Sequence, residues 1–317
     1  MTKNSYYNRN KLQRISDDAD QTELNALKLA STPVSSGIGD DVIADSLDDF
    51  ERNASFDVEN WQTNSDKIED AVGAVFEEIA KRIVMLGSLY PFKLVNGSLV
   101  YTESENLFYE FLLCVARSPN LTEGQYVNLP RNFEKTAALT CAKYLGQHAE
   151  YEHTGSPRDA SVAFKDKFIT INRRMSTNSS ACEDFFWNPQ YGLPANGPTS
   201  GDEGVDFIAW HNFSCGRRIG ALTMLGQCAC GDNWRDKYSD ISLKKFGKWF
   251  GQMSVVDPVR AFAVPFVIVE PLLTEVSREA GLVFDRVRLV KLAHDLKLID
   301  SNWIARFREA KELVLGS

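Results

Sequence analysis

Asp206 opens a short apolar run, VDFIAW, directly after the glycine-flanked acidic stretch GDEG. A second apolar run, ALTMLGQCACG, ends in Gln227, Cys228 and Cys230. Read as strands, alternate side chains face opposite ways. Asp206, Ile208 and Trp210 then share one face. Gln227 and Ala229 share a face of the second strand, with Cys228 pointing away. Pairing the two runs as a hairpin sets Asp206 and Gln227 beside each other at one end of a sheet. A carboxylate and an amide oxygen are hard donors, suited to Mg²⁺ rather than to a soft metal. The backbone carbonyl of Cys228 supplies a further oxygen. A magnesium ion at such a point polarises a phosphate and lowers the pKa of a bound water.

Each residue also has a structural reading. An aspartate before a strand serves as a turn cap. A buried glutamine amide bonds to backbone. His211, Cys215, Cys228 and Cys230 raise a zinc reading, but the Cys-x-x-Cys spacing of the usual knuckle is missing. A Cys–His nucleophile, Cys228 with His211 or His148, lacks any marked orienting group. The segment SSGIGD has neither the lysine nor the preceding strand of a phosphate-binding loop.

The elements that must position these residues are legible in outline. Residues 66–88 carry apolar side chains at helical spacing. Lys93–Thr102 reads as two short strands about an Asn-Gly turn. Glu105–Ser118 reads as a buried helix, Asn120–Pro130 as a loop and Arg131–Gln147 as a further helix ended by Gly146. Residues 148–200 are irregular and read as an insertion, with a strand at Phe164–Ile171. Phe185, Phe186, Trp187 and Tyr191 lie within it, as a satellite core or as stacking platforms for bases. Asp232–Phe250 is a helix candidate bearing Lys237, Lys244, Lys245 and Lys248. Ala261–Glu270 is a strand interrupted by Pro265, Gly281–Leu298 a strand and a helix, and Ser301–Leu315 an amphipathic helix. This order implies an α/β chain with a mixed sheet.

Charge is unevenly placed. The chain has 317 residues and a net charge of −8. Residues 1–80 hold 7 Lys and Arg against 17 Asp and Glu, and the remainder is close to balance. The first 65 residues therefore read as an acidic, partly flexible region with a short helix at Gln21–Ala30. Residues 66–317 read as one α/β domain. No apolar stretch reaches the length of a membrane span, and the start of the chain has no apolar signal core, so a cytoplasmic protein is expected. Six cysteines in a chain of this length suit reduced thiols.

Phe133-Glu134, GDEGVD and GQCAC together resemble the Mrr-like branch of the PD-(D/E)xK, or restriction-endonuclease-like, nucleases. That branch has a helix beginning Phe-Glu, a strand with Gly-x-x-Gly-x-Asp and a second strand with Gln-x-Lys. The resemblance covers about residues 130–250, less the insertion. It implies a mixed central sheet flanked by helices and a Mg²⁺- or Mn²⁺-dependent DNA endonuclease, of the kind that serves bacterial restriction or anti-phage defence. Asp206, Glu134, Gln227 and the Cys228 carbonyl would place the metal, with Asp202 or Glu203 as a further carboxylate. The family's lysine falls at Ala229. Lys237, in GDNWRDK, is the nearest replacement. The missing lysine leaves a second reading, a catalytically inactive module that binds DNA or a partner protein such as an ATPase or sensor in a defence complex.

Overall fold

The computed structural model describes residues 3–29, 60–118, 124–155, 163–176, 183–198, 203–213, 220–251 and 253–316. They build a mixed α/β architecture divided into two units. One unit takes the chain up to Tyr126 together with Pro265–Leu273 and Asp285–Ser317. The other takes Val127–Val264 and Thr274–Phe284. The N-terminal helix and the C-terminal helices thus share a unit, a division that differs from one at residue 65.

In the first unit, α1 (Lys3–Lys28) extends far beyond the Gln21–Ala30 helix expected from the sequence. Its buried stripe is Gln13, Ser16, Asp20, Glu23 and Leu27, at alternating spacings of three and four. That is a helical face, but four of its five members are polar, so an apolar periodicity does not reveal it. The helix α2 (Asn60–Leu86) is followed by the hairpin β1 (Phe92–Val95) and β2 (Ser98–Tyr101). Val95 pairs with Ser98, and Asn96 and Gly97 both take positive φ, 52° and 76°. This two-residue turn matches the twist of the strands it joins. Every residue of α3 (Phe108–Ala116) is buried. Helices α8 (Arg286–Asp295) and α9 (Ser301–Leu315) are each capped by an aspartate, Asp285 accepting from the Arg288 N–H and Asp300 from those of Asn302 and Trp303. Phe307 of α9 stacks on Phe111 of α3 at 4.4 Å between ring centroids.

Two arginines sit inside this unit. Arg82 donates to Asp20 at 2.6 Å, to Glu23 at 2.7 Å and to the carbonyl of Ser16 at 2.7 Å. Arg286 holds both carboxylate oxygens of Asp20, at 2.9 and 2.7 Å, and donates to the Pro265 carbonyl at 2.7 Å. The hydroxyls of Tyr90 and Tyr109 donate to Glu23. Both arginines are fully buried. Burial raises the pKa of Asp20, but the two guanidinium charges outweigh it and hold the carboxyl below 3.8.

The second unit carries a five-stranded mixed sheet in the order β3 (Glu150–His153), β4 (Phe207–His211), β5 (Leu222–Cys228), β6 (Val259–Ala263), β7 (Leu282–Phe284). The first two pairings are antiparallel and the last two parallel. The helix α7 (Glu270–Ala280) provides the crossover that parallel β6 and β7 need. The helix α4 (Asn128–Leu145) packs on β3, β4 and β5. A second cluster holds Ile208, Trp210 and Leu225 with Phe164 and Phe168 of α5 (Phe164–Met175) and with Phe246, Trp249 and Phe250.

Two segments differ from their sequence reading. Phe164–Ile171, expected as a strand, belongs to α5, because Phe164, Phe168, Ile171 and Met175 recur at helical spacing and are all buried. Asp232–Phe250, expected as one helix, is a 3₁₀ turn at Asp232–Asp236 and then α6 (Leu243–Gly247), with Ser242 as its N-cap. The insertion aromatics divide: Phe185 is fully buried and Trp187 packs on the core cluster, whereas Tyr191 is fully exposed.

Candidate active site

The start of β4 is irregular. Phe207 pairs with Gly226, yet the Asp206 N–H also reaches the Gly226 carbonyl, at 2.8 Å. The Asp206 carbonyl accepts the N–H groups of Thr154 and Gly155, at 2.7 and 2.9 Å. Asp206 is thereby stitched to the end of β3 on one side and to β5 on the other. Its carboxylate does not turn to Gln227. Oδ2 accepts the Cys228 N–H at 2.7 Å. Oδ1 lies over Gly155, 2.8 Å from where a Cβ would stand. Only glycine leaves that space open.

Glu134 comes from the second turn of α4, which begins at Asn128 rather than at Phe133-Glu134. Its Oε2 lies 2.7 Å from His153 Nε2 at the end of β3. The two carboxylates converge on the end of β5. Burial pushes the Cys228 thiol well above its usual range, and the charges of Asp206 and then Glu134 push it further. The Cys230 thiol is raised to about 12, by burial first and then by Glu134, while Lys237 acts in the opposite sense. Lys237 therefore stands close enough to this locus for its charge to be felt there. It follows a turn seated by Trp234, which is buried and faces Phe262 at 6.4 Å.

The structure thus places Asp206 and Glu134 near Cys228 at the end of β5, with Lys237 close enough for its charge to act on Cys230. It directs Gln227 elsewhere. The Gln227 amide nitrogen donates to Asp240 Oδ2 at 3.1 Å, and its oxygen is buried without a hydrogen-bond partner among the described residues. The irregular start of β4 is the physical reason: it takes Asp206 out of the alternation that would have set it on the face of Gln227. Ala229, at the position of the family's lysine, is fully buried and its N–H bonds to the Ala263 carbonyl at 3.0 Å. Glu203 is committed to Lys248 and Lys245, at 3.1 and 3.3 Å. Burial raises its pKa, but the two ammonium groups hold it below the usual carboxylate range. Asp202 and Cys215 lie outside the described residues. His211 Nδ1 faces the Leu145 carbonyl at 3.1 Å.

Among the described residues, no three His, Cys, Asp or Glu side chains are grouped to hold a metal ion. A closed site of the structural zinc kind is therefore not built from them. Magnesium asks less of the protein: one or two carboxylates, with water in the remaining positions. Asp206 and Glu134 are two such carboxylates near one strand end, and the Cys228 carbonyl lies in the same segment.

His153 is the residue that sequence reasoning missed. It falls in EYEH, at the start of the stretch read as an irregular insertion, where no periodicity marked a strand. Lys135, His153 and Arg174 also line a groove of about 560 Å³ beside the site. Comparison with protein families, with curated proteins and with solved structures yields no match to this chain.

Proposed function

We propose that the chain is a divalent-metal-dependent phosphodiesterase acting on DNA, with its second unit as a restriction-endonuclease-like domain. One observation carries this reading: Asp206 accepts the Cys228 N–H at the end of β5, and Glu134, from a separate element, is held at 2.7 Å by His153, whose ring borders the same space over Gly155 as the Asp206 carboxylate. The succession of α4 with Phe133-Glu134, β4 after GDEGVD and β5 with GQCAC agrees with the resemblance. Among the described residues no helix is long and apolar enough to cross a membrane.

Asp206 and Glu134 would hold Mg²⁺ or Mn²⁺, which when bound supplies charge to polarise a phosphate and acidify a water. The backbone fixes Asp206 through three hydrogen bonds to its N–H and carbonyl. Lys237 brings a cation to the same strand end. There it would orient the attacking water or stabilise charge developing on the phosphate.

The test is cleavage of supercoiled plasmid in Mg²⁺ or Mn²⁺ by the wild type, Asp206→Ala and Lys237→Ala. Metal-dependent cutting lost in both variants supports the whole assignment. Cutting lost only in Asp206→Ala removes Lys237 from it. Ala229 and the commitment of Gln227 to Asp240 favour the second reading, a module that binds DNA or a partner protein without cutting. A wild type that retains DNA but never cuts it, with any metal, selects that reading.

A further inference from the structure

We infer that His153 is a positioning residue for the proposed site, holding Glu134 in the orientation in which it and Asp206 can share one divalent cation. The inference rests on the metal-dependent reading of that site. Three features of the structure support it.

His153 is itself held firmly. It pairs with Phe207 in the ladder, and its carbonyl accepts the Lys167 ammonium at 2.6 Å. The next two residues donate their N–H groups to the Asp206 carbonyl. The backbone bearing His153 and the backbone bearing Asp206 therefore move together.

The imidazole also lies near both acids. Its Nε2 is 2.7 Å from Glu134 Oε2. The same Nε2 and Asp206 Oδ1 both border the space over Gly155, at 3.2 and 2.8 Å from a Cβ placed there. Glycine at 155 is what allows the imidazole and the carboxylate to stand beside each other.

The chemistry of the contact sets its direction. An ionised carboxylate only accepts, so the ring nitrogen donates. That bond fixes one oxygen of Glu134 and leaves the other for a cation. Carboxylates that bind metals are commonly oriented in this way by a hydrogen bond from a neighbour. Glu134 sits on a helix and Asp206 at the start of a strand, and the His153 bond ties the helix acid to the backbone that holds Asp206.

The experiment is titration of Mn²⁺ into the full chain, followed by calorimetry and by the electron paramagnetic resonance of the free ion. Wild type, His153→Ala and His153→Gln are compared, and a thermal melt of each reports folding. A glutamine amide can donate from nearly the position of Nε2. The expected result is Mn²⁺ affinity weakened about tenfold or more in His153→Ala and largely restored in His153→Gln. Equal affinity in all three proteins overturns the inference and leaves the metal site standing. Equal loss in both variants also overturns it, because a donated hydrogen bond is then not what matters. A wild type that binds no Mn²⁺ removes the metal-dependent reading itself, and this inference with it.

Discussion

The two units handle buried charge in opposite ways. In the first, Arg82 and Arg286 enclose Asp20 and Glu23, two tyrosine hydroxyls complete the set, and every charge meets its opposite at hydrogen-bond distance. In the second, Asp206 and Glu134 are carboxylates brought to one locus, with backbone N–H, an imidazole and a more distant ammonium around them. Removing one partner from the buried set of the first unit strands a charge, so that set resists piecemeal disruption. The second set is half-buried: Asp206 accepts a backbone N–H and Glu134 faces an imidazole. The first set serves the fold, and the second is where the proposed site lies.

That contrast can be broken at several points. The largest effect is expected from Arg286→Ala, which leaves Asp20 buried with half its partners. Breaking a buried pair in this way costs about 3–5 kcal/mol, read as a shift of the denaturant midpoint. A change below about 1 kcal/mol would show that the network is not what holds α1 in place.

The next concerns acid. Asp20 has a folded pKa below its ordinary value of 3.8, since Arg286 and Arg82 outweigh burial. Its stabilising contribution is full above that value and is lost as pH falls through the lower folded one. Glu110 and Asp285 are raised, chiefly by burial, from 4.5 and 3.8. Their contribution runs the other way, full below those values and lost as pH rises through the folded ones. Midpoints measured from about pH 2 to 6 should show that Asp20→Asn flattens the acid limb. An unchanged limb would assign acid sensitivity to other groups.

The smallest effect belongs to the surface. Glu103 pairs with Lys311 at 2.6 Å and Arg308 at 3.3 Å, but it is half exposed. Glu103→Gln should cost no more than about 1 kcal/mol and lose its effect in high salt.

The same contrast explains what the sequence disclosed. The α9 helix, the β1–β2 hairpin and the α3 core were legible because apolar spacing or an Asn-Gly turn marks them. The α1 helix is not legible beyond a short segment, because its buried stripe includes Gln13, Ser16, Asp20 and Glu23. Its partners lie far along the chain, at Arg82 and Arg286, and no local pattern announces a charge that will be neutralised at that distance. Residue type and motif single out Asp206 and Glu134, and the structure sets both near the end of β5. The turn of Gln227 toward Asp240 is not legible, because no local pattern announces the bond from the Asp206 N–H to the Gly226 carbonyl at the start of β4. His153 was hidden for a related reason: β3 is a four-residue edge strand with alternating charge and no apolar face.

The most direct measurement joins both halves of the comparison on one variant, Asp206→Asn, by recording its melting temperature and its nicking of supercoiled plasmid in Mg²⁺ beside the wild type. The account predicts nicking by the wild type alone and a melting temperature in the variant close to that of the wild type, since an asparagine oxygen can still accept the Cys228 N–H. A variant that nicks as well as the wild type, or one that loses nicking only by unfolding, would contradict the assignment of this carboxylate to function.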